Sequence, residues 1–194
     1  MAGVADLWKA LAQAVEYPEP GLPAALDALI EACSPALPEA AAEFGRFRAE
    51  FGRLGLAGCQ ELYAAAFDFE ADSSPYVGYH LFGEDPRRSL FMARLKERYR
   101  ECRLDAGVEL PDHLAAVFRL LAAAPEGEEA AELAGDCLTP ALGKMRAGLQ
   151  GKNTPYAGLL RAVALLIEAQ ANSASARGVG SCRSSSSSSS PTSR

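Results

Sequence analysis

The stretch Val4-Ala5-Asp6-Leu7-Trp8-Lys9-Ala10-Leu11-Ala12-Gln13-Ala14-Val15 sets Val4, Leu7, Trp8, Leu11 and Val15 at i, i+3, i+4, i+7 and i+11. That spacing lines one side of a 3.6-residue helix, and Pro18 and Pro20 stop it. The same period returns in Leu22, Leu26, Leu29, Ile30 and Cys33, then in Phe44, Phe47 and Phe51, with Pro38 placed where a first helical turn tolerates it. From Leu56 to Phe67 a fourth stripe follows in Cys59, Leu62, Tyr63, Ala66 and Phe67. Strict alternation with β-branched residues is essentially absent. The predicted fold class is all-α, a single-domain helical bundle.

The second half repeats the pattern with clear start signals. Asp68 to Pro75 reads as a loop, and Ser74-Pro75 caps a short helix from Tyr76 that ends at Gly83. Asp85-Pro86 opens a longer amphipathic helix that buries Leu90, Phe91, Leu95, Tyr99 and Cys102. Pro111 predicts the next helix start, with Leu114, Val117, Phe118 and Leu121 inside. Residues 127–150 are alanine-rich and helical, kinked or broken by Pro140. Thr154-Pro155 begins a last helix carrying Tyr156, Leu159, Leu160, Val163, Leu166 and Ile167. From Ala171 the composition falls to Ser, Ala, Gly and Arg, including seven serines from Ser184 to Ser190. Such a segment buries too little apolar surface to offset its ordering entropy. The expected organisation is a helical domain over 1–170 and a disordered Ser-rich tail over 171–194.

A length of 194 residues suits one domain with a real core. No apolar run approaches the roughly 20 residues that span a bilayer, so no stable membrane insertion is expected. The N-terminus has neither the basic start nor the unbroken apolar block of a secretory signal, and a cytoplasmic location is the expectation. Cys33, Cys59, Cys102, Cys137 and Cys182 are odd in number and widely spaced, which fits reduced thiols. Residues 171–194 hold three arginines and no acid, leaving 16 basic against 25 acidic residues before them. A surface that acidic repels phosphate backbones, which argues against nucleic acid and favours a basic peptide.

Motifs for chemistry are missing. His80 and His113 stand 33 positions apart with no ligand-spaced partners, so neither a metal nor another cofactor is expected. Gly148-Leu149-Gln150-Gly151-Lys152-Asn153 lacks the glycine spacing and the Ser/Thr of a phosphate loop, and no GxSxG elbow exists. On residue chemistry alone, an acid such as Asp112 just after Pro111 serves the helix dipole. The aromatics Tyr63, Phe67, Tyr76 and Tyr79 at helical spacing form core, and any exposed part of that stripe would be a groove for an apolar peptide.

Five stretches, in order, carry a resemblance. They are Tyr17-Pro18; Gln60-Glu61-Leu62-Tyr63 leading to Phe67-Asp68-Phe69; Tyr79 through Arg88 with Leu95 through Tyr99; Glu109-Leu110-Pro111-Asp112-His113-Leu114; and Asn153 through Leu160. Together they resemble the nitrate reductase molybdenum cofactor assembly chaperones of the NarJ type, within the TorD/DmsD group of redox-enzyme maturation chaperones. The resemblance covers roughly residues 4–170. It implies a helical chaperone, not an enzyme, that binds the N-terminal segment of the apo catalytic subunit of a respiratory molybdenum oxidoreductase and supports cofactor insertion and assembly. It also implies a partner-peptide site at Tyr63, Phe67, Asp68, Pro111, Asp112 and His113, with Tyr79, His80, Asp85 and Glu109 from the same stretches. Carboxylates beside aromatics suit such a peptide, because the acids pair its arginines and the rings cover their stems. Relatives often carry a proline and a glutamate where this chain has Ala115 and Arg119, which bears on the client's identity. A related molybdenum dehydrogenase or reductase as client, a permanent subunit of the complex, and an enzyme with an unrecognised site are the other readings. The protein is expected to be a monomer or weak homodimer.

Overall fold

Leu7, Trp8, Leu11 and Val15 are buried together, as their period requires, along one side of helix α1 (Val4–Val15). The computed structural model describes residues 3–105 and 109–180, the last nine by backbone alone. Helix α2 (Leu22–Cys33) packs on α1, and the long α3 (Pro38–Phe67) packs on α2. The third and fourth stripes of the sequence are two helical halves of this span that meet at a kink at Gly55, whose φ of 70° and ψ of −177° only a residue without Cβ adopts easily.

The short α4 (Val77–Phe82) and α5 (Arg87–Glu101) follow the two Pro-containing start signals. Helix α6 (Leu114–Ala123) is buried on nearly every side and packs against α1, where Trp8 and Phe118 meet with ring centroids 5.7 Å apart. Its start departs from the Pro111 signal. Residues 111–113 stay outside the helix, because Tyr76 and His113 pair across an isolated antiparallel bridge, reinforced by Val77 N–H to Asp112 O and Leu114 N–H to Pro75 O. A tertiary pairing has overridden the local proline preference.

Helix α7 (Glu128–Glu132) runs through a π-helical turn at Leu133–Leu138 into α8 (Thr139–Gly148). The expected disturbance at Pro140 is therefore absorbed one turn earlier. The Thr139 N–H and hydroxyl both reach the Ala134 carbonyl, and Pro140 stands in the first turn of α8, where its missing N–H costs nothing. Gly148 packs directly on the backbone of Asp72, so a side chain there would collide with the loop after α3. The final helix α9 (Tyr156–Gly180) lies against α3 and α8 and runs ten residues into the segment read as tail; residues 181–194 of that segment lie outside the described residues.

The resulting core is continuous from α1 to α9. Among the described residues no helix is long and apolar enough to cross a membrane. Cys33, Cys59, Cys102 and Cys137 carry free thiols, and Cys182 lies outside the described residues.

Candidate functional site: an acidic, aromatic cleft

Three connections distant in sequence converge at the C-terminal end of α3. Tyr63 and Phe67, one helical turn apart, close the bottom of an open cleft of about 640 Å³. Asp68, Phe69, Glu70 and Ala71 form one wall as the chain leaves α3. Ser74, Pro75 and Tyr76 continue it toward Glu109 and His113, which precede α6. Glu16, Tyr17 and Glu19, between α1 and α2, supply the opposite connection, and the Gln60 amide holds that segment on α3 by donating to the Pro18 carbonyl at 2.9 Å.

The aromatic floor belongs to the core as much as to the cleft. Tyr63 and Phe67 are each 4% exposed and form a ring cluster with Tyr156 and Phe47, with centroid separations of 4.9 to 5.7 Å. Tyr156 closes this cluster and donates its hydroxyl to the Cys59 carbonyl. The aromatic surface available to a ligand is instead Phe69, at 81% exposure, and Tyr17, at 48%, which stacks edge-on against Tyr63 at 5.5 Å. Large apolar rings left this wet are unfavourable without a partner to cover them.

Five carboxylates line the cleft and, among the described residues, no Lys or Arg does. Glu16 is gripped by Arg119, and Glu70 sits 3.6 Å from Lys152. Glu109 accepts from the Tyr76 hydroxyl at 2.9 Å; burial, followed by that hydrogen bond, pushes the phenol up to about 12. The carboxylates of Glu19 and Asp68 are exposed and have no hydrogen-bond or ion-pair partner among the described residues.

Of the ten residues singled out in the sequence, Tyr63, Phe67, Asp68, Glu109 and His113 meet in this cleft. The other five stand behind or beside it. Asp112 is fully buried and its Oδ2 accepts from Arg88 Nε at 3.0 Å, with Arg88 itself lying over the rings of Tyr76 and Tyr79. Pro111 is buried and its carbonyl receives the Tyr99 hydroxyl. His80 is buried against the Ser74 carbonyl at 2.7 Å, and Asp85 bonds Arg87 at the start of α5. Sequence reasoning left out Glu16, Tyr17, Glu19, Phe69, Glu70 and Ser74 from the site. Tyr17 and Phe69 did carry a signal, since each is an aromatic in a connection with no helical stripe to join.

His113 caps α6 through Nδ1, which accepts the Ala115 N–H at 3.2 Å and so must be unprotonated there. Burial lowers its pKa, opposed by the charges of Glu109 and Glu16. Burial likewise lowers that of His80. In the unfolded chain both titrate near 6.5 and take up protons that the folded state refuses. The unfolded state then binds more protons, so stability is complete above that pH and is lost as pH falls below it. We expect the melting temperature to drop between about pH 7.5 and about pH 5.5, and His113→Asn, which keeps a cap acceptor, to flatten that slope. An unchanged slope in the variant would show that His113 is not the group responsible.

The described residues thus form a helical bundle with an acidic, aromatic cleft at the C-terminal end of α3. The nitrate reductase delta subunit family matches residues 19–162, and the chain belongs to that family, whose members are maturation chaperones of the NarJ type. The match includes every cleft residue except Glu16 and Tyr17. A comparison with curated proteins found no matching relative.

Proposed function

We propose that this protein binds the N-terminal segment of the apo catalytic subunit of a nitrate reductase in the cytoplasm, holds the subunit competent for molybdenum cofactor insertion, and turns over no substrate itself. The observation that carries the reading is the cleft, where wet aromatic rings stand among carboxylates and, among the described residues, no Lys or Arg lines the wall. Such a surface favours a segment with apolar residues to cover Phe69 and Tyr17 and basic residues to meet Glu19 and Asp68. The family supplies the client class. In this reading Tyr63, Phe67, Asp68, Glu109 and His113 contact or directly frame the peptide, while Pro111, Asp112, Tyr79, His80 and Asp85 shape the walls.

Titration calorimetry with a peptide from the N-terminus of the cognate catalytic subunit tests this. Micromolar or tighter binding is expected, weakened about tenfold or more by Phe69→Ala, since truncating a central aromatic anchor costs at least that much. Binding that Phe69→Ala and Asp68→Asn both leave untouched would place the peptide elsewhere on the molecule.

A further inference from the structure

A second groove, of about 530 Å³, opens between α5 and the run from α7 into the π-helical turn, and it shares no lining residue with the cleft. Leu95, Leu120 and Leu121 form its buried floor, and Phe91, Ala124 and Leu133 are half-buried along it. Beside Phe91 on α5, Leu90 stands 57% exposed. Helix α7 buries none of its residues, and the Arg98 guanidinium reaches across the groove to the Glu129 carboxylate at 2.6 Å. The two walls are oppositely charged. Helix α5 carries six cations against two carboxylates, whereas residues 128–138 carry four carboxylates and no cation. Arg94 on the first wall and Glu132 and Asp136 on the second are exposed and have no hydrogen-bond or ion-pair partner among the described residues.

An apolar trough with one basic and one acidic rim is complementary to itself. A two-fold axis running along the groove sets the basic wall of each copy over the acidic wall of the other, whereas a foreign helix of uniform charge would meet one wall of its own sign. We propose that this groove is the contact surface between two copies of the chain. Arg94 of each copy faces Glu132 and Asp136 of the other, and Leu90 joins the apolar strip of Phe91, Ala124 and Leu133, which the second copy takes out of water. No cleft-lining residue takes part.

Sedimentation velocity of the full chain between about 1 µM and about 500 µM tests this, because small interfaces of this kind give dimers in the micromolar range. A shift from monomer to dimer with concentration is expected, weakened by salt. Leu90→Asp should weaken the dimer at least tenfold. Arg94→Glu should do the same by setting like charges against each other twice per dimer, as should the double variant Glu132→Lys/Asp136→Lys. The decisive sample mixes the Arg94→Glu chain with the double-variant chain. Each then offers the other an opposite charge at both contacts, so the mixture should dimerise where neither component does alone. The substituted side chains are exposed, and far-ultraviolet spectra report that the helices are intact. The proposal is overturned by a chain that stays monomeric throughout, by a dimer indifferent to these substitutions, or by a mixture no more dimeric than its components. A chain that dimerises only after removal of residues 181–194, which include Arg183 and Arg194, would also overturn it and assign the groove to that segment.

Discussion

Arg88→Ala is expected to destabilise the fold by about 3–5 kcal/mol, the cost of leaving a buried charge without its partner. The Asp112 side chain is fully buried, its Oδ1 has no hydrogen-bond partner among the described residues, and Arg88 supplies the bond to Oδ2. The loss also removes a cation that lies 5.8 Å from the Tyr76 ring and 5.7 Å from the Tyr79 ring. Gly78 leaves the room for this pair: a Cβ there would approach Asp112 Oδ2 to 2.7 Å. The converse change should be milder. Asp112→Asn keeps an oxygen for Arg88, whose side chain is 23% exposed and can be hydrated, so about 1–2 kcal/mol is expected. Urea unfolding of the two variants checks the order; equal losses would mean that the charge of Asp112 does not matter. Tyr76 and Glu109 hang on this clasp, so Arg88→Ala should also weaken peptide binding in whatever fraction remains folded.

Tyr156→Ala should cost about 3–5 kcal/mol, the usual range for emptying a buried aromatic site. Tyr156 is 1% exposed, touches Phe47, Tyr63 and Phe67 edge-on, and lies at the start of α9 where that helix crosses α3. Tyr156→Phe keeps the rings and loses only the bond to the Cys59 carbonyl, for which about 1 kcal/mol or less is expected. Because Tyr63 and Phe67 rest on this ring from below, the alanine variant should also loosen the cleft floor and lower peptide affinity. Denaturant midpoints for the pair decide it: a phenylalanine variant as unstable as the alanine one would assign the stability to the hydroxyl.

The helices were legible because their stripes are local: Leu7, Trp8, Leu11 and Val15 are buried where their spacing put them, whereas Val4, at the helix start, and Leu90, expected inside on α5, are exposed. The break at Gly55 was legible too, since the fourth stripe begins at Leu56; the late start of α6 was not, because it depends on the pairing of Tyr76 with His113. The same distinction governs the site. Tyr63, Phe67 and Asp68 share one helix end and read as a unit. Glu16, Tyr17 and Glu19 join them only through the packing of α1 and α2 on α3, which no periodicity encodes. Asp112 shows the opposite limit, for its sequence position suggested an acid serving the helix dipole and the resemblance implied one in the peptide site, whereas the fold turns it inward to Arg88.

The central claim is that this chain serves the immature client through the cleft. The direct measurement is complex formation, by size-exclusion chromatography with light scattering, between the full chain and the nitrate reductase catalytic subunit prepared without and with its molybdenum cofactor. A complex with the apo subunit is expected, lost on cofactor loading and weakened by Phe69→Ala with Asp68→Asn. Equally stable binding to the loaded enzyme, indifferent to those substitutions, would contradict that claim and mark the protein as a permanent subunit held by another face.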